Sequence, residues 1–225
     1  MTETSASGHA AGRGGADGTI RVWDPLVRVF HWGLVAAFAV AYLTAEELST
    51  VHEIAGYTVA GLVVFRLIWG FAGSRYARFS QFLKGPSATV GYLGDMLGGR
   101  ERRYLGHNPA GAAMIVALLL TLSGTAFSGW LLEDENRIAM LPALPQIVAP
   151  AWADDDGDER EEYGERGEGG ESAVEELHEV LANLMLFLIA AHVAGVVLAS
   201  FRHRENLARA MVTGEKRAPG PGDIA

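Results

Sequence analysis

The sequence predicts an all-α integral membrane protein: a bundle of four membrane-spanning helices with both termini in the cytoplasm. Three observations lead to this fold class. The chain is 49% hydrophobic, its apolar residues gather into four blocks that each approach the roughly 20 residues needed to cross a bilayer, and its basic residues collect on one side of those blocks. A soluble helical bundle is the alternative, but all four blocks lack the polar face that such helices need.

The four blocks define the predicted domain organisation. Residues 1–20, which are mostly Gly, Ala, Ser and Thr, are expected to form a disordered tail, because they hold too few apolar side chains to build a core. They contain no apolar core of a signal peptide, so the first span is expected to act as an uncleaved signal anchor. A transmembrane domain is predicted at 21–217 and a C-terminal tail at 218–225. The predicted spans are residues 27–44, 54–71, 109–132 and 177–201.

Two connecting segments carry further predictions. Residues 79–98 are mildly amphipathic and are interrupted by Gly85 and Pro86, a pattern that predicts a short helix on the cytoplasmic interface of the membrane. Residues 133–176, the acidic segment, hold fifteen Asp and Glu against three Arg, a net charge of −12. One interpretation is a mobile, solvated linker. The other is a docking surface for a basic soluble partner, because clustered like charge steers association.

The distribution of the 18 basic residues predicts the orientation. Three lie before or at the start of the first span, seven lie between the late second span and the third, and five follow the fourth span. Only three fall in the acidic segment, and none follows the first span directly. Since Lys and Arg stay on the cytoplasmic side, both termini are expected inside a bacterial inner membrane that the chain crosses several times. The acidic segment is expected on the outer side.

The chain contains no cysteine and seven histidines. Disulfides, thiolate-held iron–sulfur clusters and the CxxCH attachment of a covalent haem are therefore excluded. A metal centre would have to use His, carboxylate or Met side chains, and the histidines within the spans are the first candidates, because an ionisable group in a membrane segment is a functional candidate by default.

His178 and His192 stand at the two ends of the fourth apolar block, ELHEVLANLMLFLIAAHVAG. They are 14 residues apart, about 21 Å along a helix and about 40° short of four full turns, so both rings point to nearly the same side. His31, near the cytoplasmic end of the first span, matches the depth of His192. His52, at the outer end of the second span, matches the depth of His178. The four side chains therefore form two pairs, one towards each membrane surface.

Two imidazoles that face each other across a gap suit a haem iron that is held axially from both sides. A structural zinc site would need four protein ligands and a catalytic one three, which two histidines at each level do not provide. The dipeptide His178-Glu179 begins like the HExxH motif, but Ala182 follows where the motif needs histidine, so the motif fails.

Other residues near the pairs allow two interpretations each. Gly56 and Gly195, each within a turn of a paired histidine, leave room either for a flat macrocycle or for close helix packing. His107 or Asn108 is expected to cap the helix that starts near Pro109.

Four segments together resemble a known family: RVWDPLVRVFHWG, HEIAGYTVAGLVVFRLIWG, GHNPAGA and ELHEVLANLMLFLIAAHVAGVV. In this order they are similar to the bacterial cytochrome b561 family, and more closely to the branch that includes the b-type cytochrome subunit of nickel–iron hydrogenases. The resemblance covers roughly residues 22–217. It implies a four-helix membrane bundle that binds two non-covalent b-type haems and passes electrons between the quinone pool and a redox partner. The iron ligands that it implies are His31, His52, His178 and His192.

The resemblance also implies roles for other residues. Two axial histidines leave the iron no open position, which suits electron transfer rather than oxygen binding. Arg28 and Arg66 are candidates to pair with the anionic propionates of the inner haem, and snorkelling at the membrane edge is the alternative. Tyr104, His107 and Arg66 are candidates for a quinone site. A hydrogenase or a periplasmic cytochrome c is the expected partner at the acidic segment, whose length departs from the family pattern. No nucleic-acid partner is expected.

Two other functions would use the same histidines. A quinone oxidoreductase that acts alone on a small oxidant or reductant such as superoxide would need the same haems. A transporter would use intramembrane histidines as a proton or metal relay, but such proteins usually carry carboxylates within their spans or internal repeats. Here the Asp and Glu residues lie at span edges and in loops, which argues against a transporter.

Overall fold

The structure, a computed structural model, describes residues 18–139 and 165–224, and that part of the chain is almost entirely helical. Its elements follow one another as β1 (Thr19–Arg21), α1 (Pro25–Thr44), α2 (Ser49–Ala72), α3 (Phe79–Phe82), α4 (Pro86–Leu97), α5 (Pro109–Leu132), α6 (Glu135–Ala139), α7 (Glu165–His203), α8 (Leu207–Thr213) and β2 (Glu215–Arg217). The two strands pair antiparallel, with Ile20 opposite Lys216.

Four of these helices are long and apolar enough to cross a membrane: α1, α2, α5 and the part of α7 from Ala173 to His203. The predicted all-α fold class with four membrane spans is therefore confirmed. Helix α2 begins at Ser49, before the predicted start of its span at residue 54, and α7 begins at Glu165, before the predicted start at 177. Helical backbone continues past the apolar residues at these ends, because backbone hydrogen bonds do not depend on apolar side chains. The side of the membrane on which the termini lie stays a prediction.

The surface of the long helices is apolar. Leu43, Phe71 and Phe201 are each between 77% and 81% exposed. In water each Å² of such apolar surface would cost about 25 cal/mol, whereas the hydrocarbon of a bilayer removes this penalty. The exposed side chains therefore agree with helices that face lipid.

Helices α1 and α5 begin in the same way, with an Asp or Asn before a proline. The Asp24 side chain accepts a hydrogen bond from the Val27 backbone N–H at 2.9 Å, and the Asn108 side chain accepts one from Gly111 at 2.7 Å. Such caps satisfy a donor that the first helical turn leaves unpaired, and the proline that follows has no N–H to satisfy. Of the two caps predicted for α5, Asn108 is the one used, and His107 is not needed for it.

The chain after α7 forms α8 and β2, neither of which the sequence predicts. Asn206 caps the start of α8 by accepting a hydrogen bond from the Arg209 backbone N–H at 2.8 Å. Gly214 ends the helix in the left-handed conformation, with φ at +84°, and a Cβ there would lie 2.7 Å from the Trp23 carbonyl oxygen. Both elements are too short for hydrophobic periodicity to reveal them.

A buried group of charged side chains holds the C-terminal segment in place. Arg103, which is 5% exposed, donates to Glu205 at 2.7 Å and to Asp223 at 2.5 Å. Lys216 is also 5% exposed and lies 3.4 Å from Glu205. We call these four residues the C-terminal ion cluster. Its members come from the loop before α5, the loop after α7, β2 and the chain end.

The flanking and connecting segments are described in part. Residues 1–17 of the predicted tail and 140–164 of the acidic segment lie outside the described residues. The last residues of the predicted tail form β1, and the described ends of the acidic segment are helical, as α6 and the start of α7. The predicted interfacial helix at 79–98 consists of two helices, α3 and α4, on either side of the predicted interruption. At the C-terminus, the Ile224 backbone N–H donates to the Arg103 carbonyl at 2.8 Å.

The chain divides into two compact units, and each long helix contributes to both. Within the described chain, unit 1 comprises residues 18–32, 66–114 and 191–224, and unit 2 comprises residues 33–65, 115–139 and 165–190. In the core of unit 1, Trp23 packs with Val22 and Ala210. In the core of unit 2, Met185, which is 1% exposed, packs with Val59, Val63 and Leu122.

Candidate functional site

The four predicted ligand histidines fall two in each unit. His31 on α1 and His192 on α7 lie in unit 1, and His52 on α2 and His178 on α7 lie in unit 2. We call them the inner pair and the outer pair, after the predicted orientation of the chain. Each pair therefore combines side chains from two different spans, as the depth match in the sequence predicts.

The two rings of the outer pair, His52 and His178, have centroids 6.2 Å apart and planes at 72° to each other. A metal-bound imidazole nitrogen lies about 2 Å from the metal and about 1 Å from its own ring centroid, so two imidazoles on opposite sides of one metal have centroids about 6 Å apart. The spacing of the outer pair is therefore the spacing that one shared metal ion requires.

Both outer imidazoles are oriented through Nδ1. His52 Nδ1 lies 2.8 Å from the Ala41 carbonyl oxygen, which can only accept, so we assign the proton to Nδ1. His178 Nδ1 lies 3.0 Å from the Ser128 hydroxyl oxygen. That hydroxyl donates to the Thr125 carbonyl and so accepts from His178. Because both Nδ1 atoms donate, both Nε2 atoms keep a free lone pair, as in metal-ligating histidines.

Two residues that contact His178 were missed by sequence reasoning, Ser128 and Gly129. Ser128 is 1% exposed, and a Cβ on Gly129 would lie 3.0 Å from His178 Cε1. The two residues let the imidazole lie directly against α5. A Ser-Gly dipeptide within an apolar span is the signal that could have found them, because small residues in a span mark the close approach of helices.

Replacing Gly129 with Ala is expected to weaken the outer pair as a metal site. The added methyl group would press on the His178 ring, 3.0 Å away, and turn its Nε2 from the shared axis. Disturbing the group that orients a ligand typically reduces metal affinity about 10- to 100-fold, so the variant should lose haem from this pair during purification. Absorption spectra of the purified protein measure the loss.

Gly61→Ala is the matched control for this change. Gly61 lies on α2 in the same unit, and a Cβ there would meet no described atom within 4 Å. Equal haem content in the two variants would show that the contact between Gly129 and His178 has no part in binding.

The inner pair is held differently. His31 and His192 are close enough to interact electrostatically. Nδ1 of His31 is buried and has no hydrogen-bond partner within the described part of the chain. The His31 ring instead packs edge-on against Trp32, with centroids 5.1 Å apart. Packing rather than a hydrogen bond therefore orients this imidazole.

Arg28, one turn before His31, contacts the backbone of α8. Its guanidinium donates to the Val212 carbonyl, and the Trp32 indole N–H donates to the Met211 carbonyl at 3.3 Å. These carbonyls lie in the last turn of α8, where a positive charge is favourable. The contact gives Arg28 a backbone partner, whereas snorkelling would leave the guanidinium in water. Its pairing with a haem propionate stays a prediction.

Arg66 and His107 share an aromatic environment in unit 1. Arg66 is 4% exposed, and its guanidinium carbon lies 4.9 Å from the Phe79 ring centroid and 6.0 Å from that of Phe82. The His107 ring contacts both Phe82 and Trp23, with centroids 4.7 Å and 4.6 Å away. Burial, together with the nearby charge of Arg66, lowers the pKa of His107 to about 3. The imidazole is therefore neutral at physiological pH.

The three residues predicted for a quinone site have different surroundings. Arg66 and His107 are neighbours, whereas Tyr104 lines a cleft of about 340 Å³ with Tyr92 and Lys84. Neither Arg66 nor His107 lines that cleft. The quinone site predicted from these three side chains stays a prediction.

Gly56 and Gly195 have free space beside them. A Cβ added to either glycine would meet no atom of the described residues within 4 Å. The described chain therefore offers no close helix contact at either position. Room for a flat macrocycle at these glycines stays a prediction.

The donor set fits a haem better than a zinc ion. Within the described chain, no three His, Cys, Asp or Glu side chains lie close enough together to hold a metal ion. Zinc takes three or four protein ligands, so the described residues do not form a zinc site. Two imidazoles with free Nε2 atoms suit iron, whose other four positions a porphyrin fills.

The family model described as prokaryotic cytochrome b561 matches residues 22–214. The match spans most of the chain and includes all four paired histidines. No curated protein and no solved structure matches the chain significantly.

Proposed function

The chain belongs to the prokaryotic cytochrome b561 family, and from this membership we propose that it carries electrons across the bacterial inner membrane between the quinone pool and a redox partner, through two haems. The family and the four apolar helices make it a multi-pass membrane protein and a b-type cytochrome that transfers electrons. The count of two haems, their ligation by two histidines each, the quinone and the cytoplasmic termini belong to the proposal.

The placement of the histidines is the observation that supports the proposal most directly. Each compact unit contains one pair, so each unit would hold one haem between two spans. The 6.2 Å between the outer rings suits one iron between them. When bound, haem supplies reversible one-electron chemistry. The paired imidazoles of this chain would fix its position and occupy both axial sites, which favours electron transfer over oxygen binding.

The haem count tests this proposal. Purified protein is expected to show b-type bands in a dithionite-reduced minus oxidised spectrum and two haems per chain in the pyridine haemochrome assay. Acidified acetone should extract both haems, because a chain without cysteine cannot hold them through thioether bonds. Fewer than two haems per chain, or haem that resists extraction, would contradict the proposal.

The proposed partner is a hydrogenase or a periplasmic cytochrome c that docks at the acidic segment. The net charge of −12 in residues 133–176 supports docking of a partner with a basic surface, because opposite charges speed association and salt screens this attraction. Reduction of a quinone by the protein, measured with and without such a partner at low and high salt, tests this part. Rapid turnover with superoxide and no partner would support a stand-alone oxidoreductase instead.

A further inference from the structure

Four buried polar side-chain atoms have no hydrogen-bond partner within residues 18–139 and 165–224, and all four lie in unit 1. They are Arg28 Nε, His31 Nδ1, Arg66 NH1 and His107 Nδ1. A buried donor without an acceptor costs about 1–3 kcal/mol, and more when it is charged. Buried polar groups are nearly always paired in native proteins. The two guanidinium nitrogens can only donate, so this group of atoms indicates a ligand that accepts hydrogen bonds.

Two of the four atoms, on Arg66 and His107, belong to neighbouring side chains. Both side chains contact the Phe82 ring, and the charge of Arg66 acts on His107. His192 of the inner pair also acts electrostatically on His107. His107 therefore lies within electrostatic range of the inner pair. The two unpaired atoms belong to a permanent cation and to a neutral imidazole that can donate through Nδ1.

No carboxylate of the described chain hydrogen-bonds to Arg66. Asp24 interacts electrostatically with it, but the oxygens of Asp24 accept hydrogen bonds from Val27, Ser74 and Trp69. The guanidinium is thus buried at 4% exposure beside a carboxylate that is already used. A second anion would complete its pairing.

Resting on the proposed function, we propose that Arg66 and His107 together bind one carboxylate, and that this carboxylate is a propionate of the haem held by His31 and His192. A guanidinium forms strong, directional hydrogen bonds with a carboxylate, and the Nδ1–H of a neutral His107 adds a second donor. The sequence predicts that His107 or Asn108 caps α5, and Asn108 is the residue that does so. His107 is then a residue that positions the haem rather than a ligand of the iron.

The test uses the full-length protein loaded with haem that carries ¹³C in its propionate carboxyl groups. Redox-induced infrared difference spectra report the labelled carboxylate bands directly. In His107→Phe and in Arg66→Met these bands are expected to shift from their wild-type frequencies, because each change removes one donor. Phenylalanine keeps an aromatic ring between Phe82 and Trp23, so His107→Phe is expected to fold even if Arg66→Met does not.

Arg75→Met is the matched control, since it removes an exposed arginine that also lies over an aromatic ring, that of Tyr76 at 5.6 Å. Its labelled bands are expected to stay at the wild-type frequencies. Two bound haems with unmoved bands in His107→Phe would overturn the inference and leave the proposed function intact. Bands that move only when free acetate is added would also overturn it, because the ligand would then be a free anion. A wild-type protein without two haems would instead contradict the proposed function.

Discussion

Replacing His192 with Ala should remove one of two haems and leave the other in place. Alanine has no lone pair to offer the iron, and His31 alone cannot hold a porphyrin from both sides. About half of the b-type absorption of the wild-type protein should remain, given two bis-histidine haems, and it should titrate with one potential. The outer pair lies in unit 2, and its Nδ1 hydrogen bonds to Ala41 and Ser128 do not involve His192. Redox titration followed by absorption spectroscopy measures the result.

Two variants on the same helix complete the test. His178→Ala should lose the outer haem and keep the inner one. The redox potential of its remaining haem should therefore differ from that of the haem that remains in His192→Ala. His203→Ala, at the end of α7, should keep both haems, because His203 belongs to neither pair. Survival of both haems in His192→Ala, with unchanged potentials, would show that the histidines are paired differently.

The helices and the four histidines could be predicted from the sequence because they depend on local information. A run of apolar residues indicates where a span lies. The helical period of 3.6 residues per turn determines which side chains share a face. His178 and His192 could be placed on one side of α7 from spacing alone. Depth matching then selected His31 and His52 as partners, and each predicted pair falls within one unit.

The groups that orient those histidines could not be predicted, because they depend on contacts between distant residues. Ser128 is 50 residues from the imidazole that it holds. The Ser-Gly dipeptide marks a close approach of helices, but it does not say which side chain of another helix lies there. His107 is a similar case. Next to Asn108 and Pro109 it has the sequence context of a helix cap, and only the tertiary fold places it against Phe82 and Trp23.

Glu205→Gln should destabilise the C-terminal segment strongly. The carboxylate of Glu205 pairs with Arg103 at 2.7 Å and with Lys216 at 3.4 Å. The side chains of both cations are 4% exposed. Removing one partner of a buried ion pair costs about 3–5 kcal/mol, because it leaves a buried charge uncompensated. Amide hydrogens of residues 207–224 should then exchange roughly a hundred to a few thousand times faster if they exchange through opening of this segment. Mass spectrometry of the exchanged protein measures this.

The stability of residues 207–224 should depend on pH through the protonation of Glu205. Burial alone would raise the pKa of Glu205, but the hydrogen bonds from Arg103 and the charge of Lys216 outweigh it and hold the pKa below its usual value. A carboxylate with a lower pKa in the folded state stabilises the fold above its unfolded pKa, about 4.3, and loses that contribution as the pH falls through the folded pKa. The wild-type segment should therefore open below about pH 4, whereas in Glu205→Gln only the contribution of Asp223, whose pKa is also lowered, should remain.

Glu215→Gln is the control that separates the ion cluster from a general loss of negative charge. Glu215 is exposed on β2, and the same change there should leave exchange nearly unaltered, because surface charges contribute little. The effect of Glu205→Gln should also reach the inner pair, since α8 receives hydrogen bonds from Arg28 and Trp32 beside His31. Loosening α8 would release that end of α1. The absorption bands of the inner haem should therefore broaden, whereas those of the outer haem should not. Equal exchange in the two glutamine variants would mean that the cluster does not hold the segment.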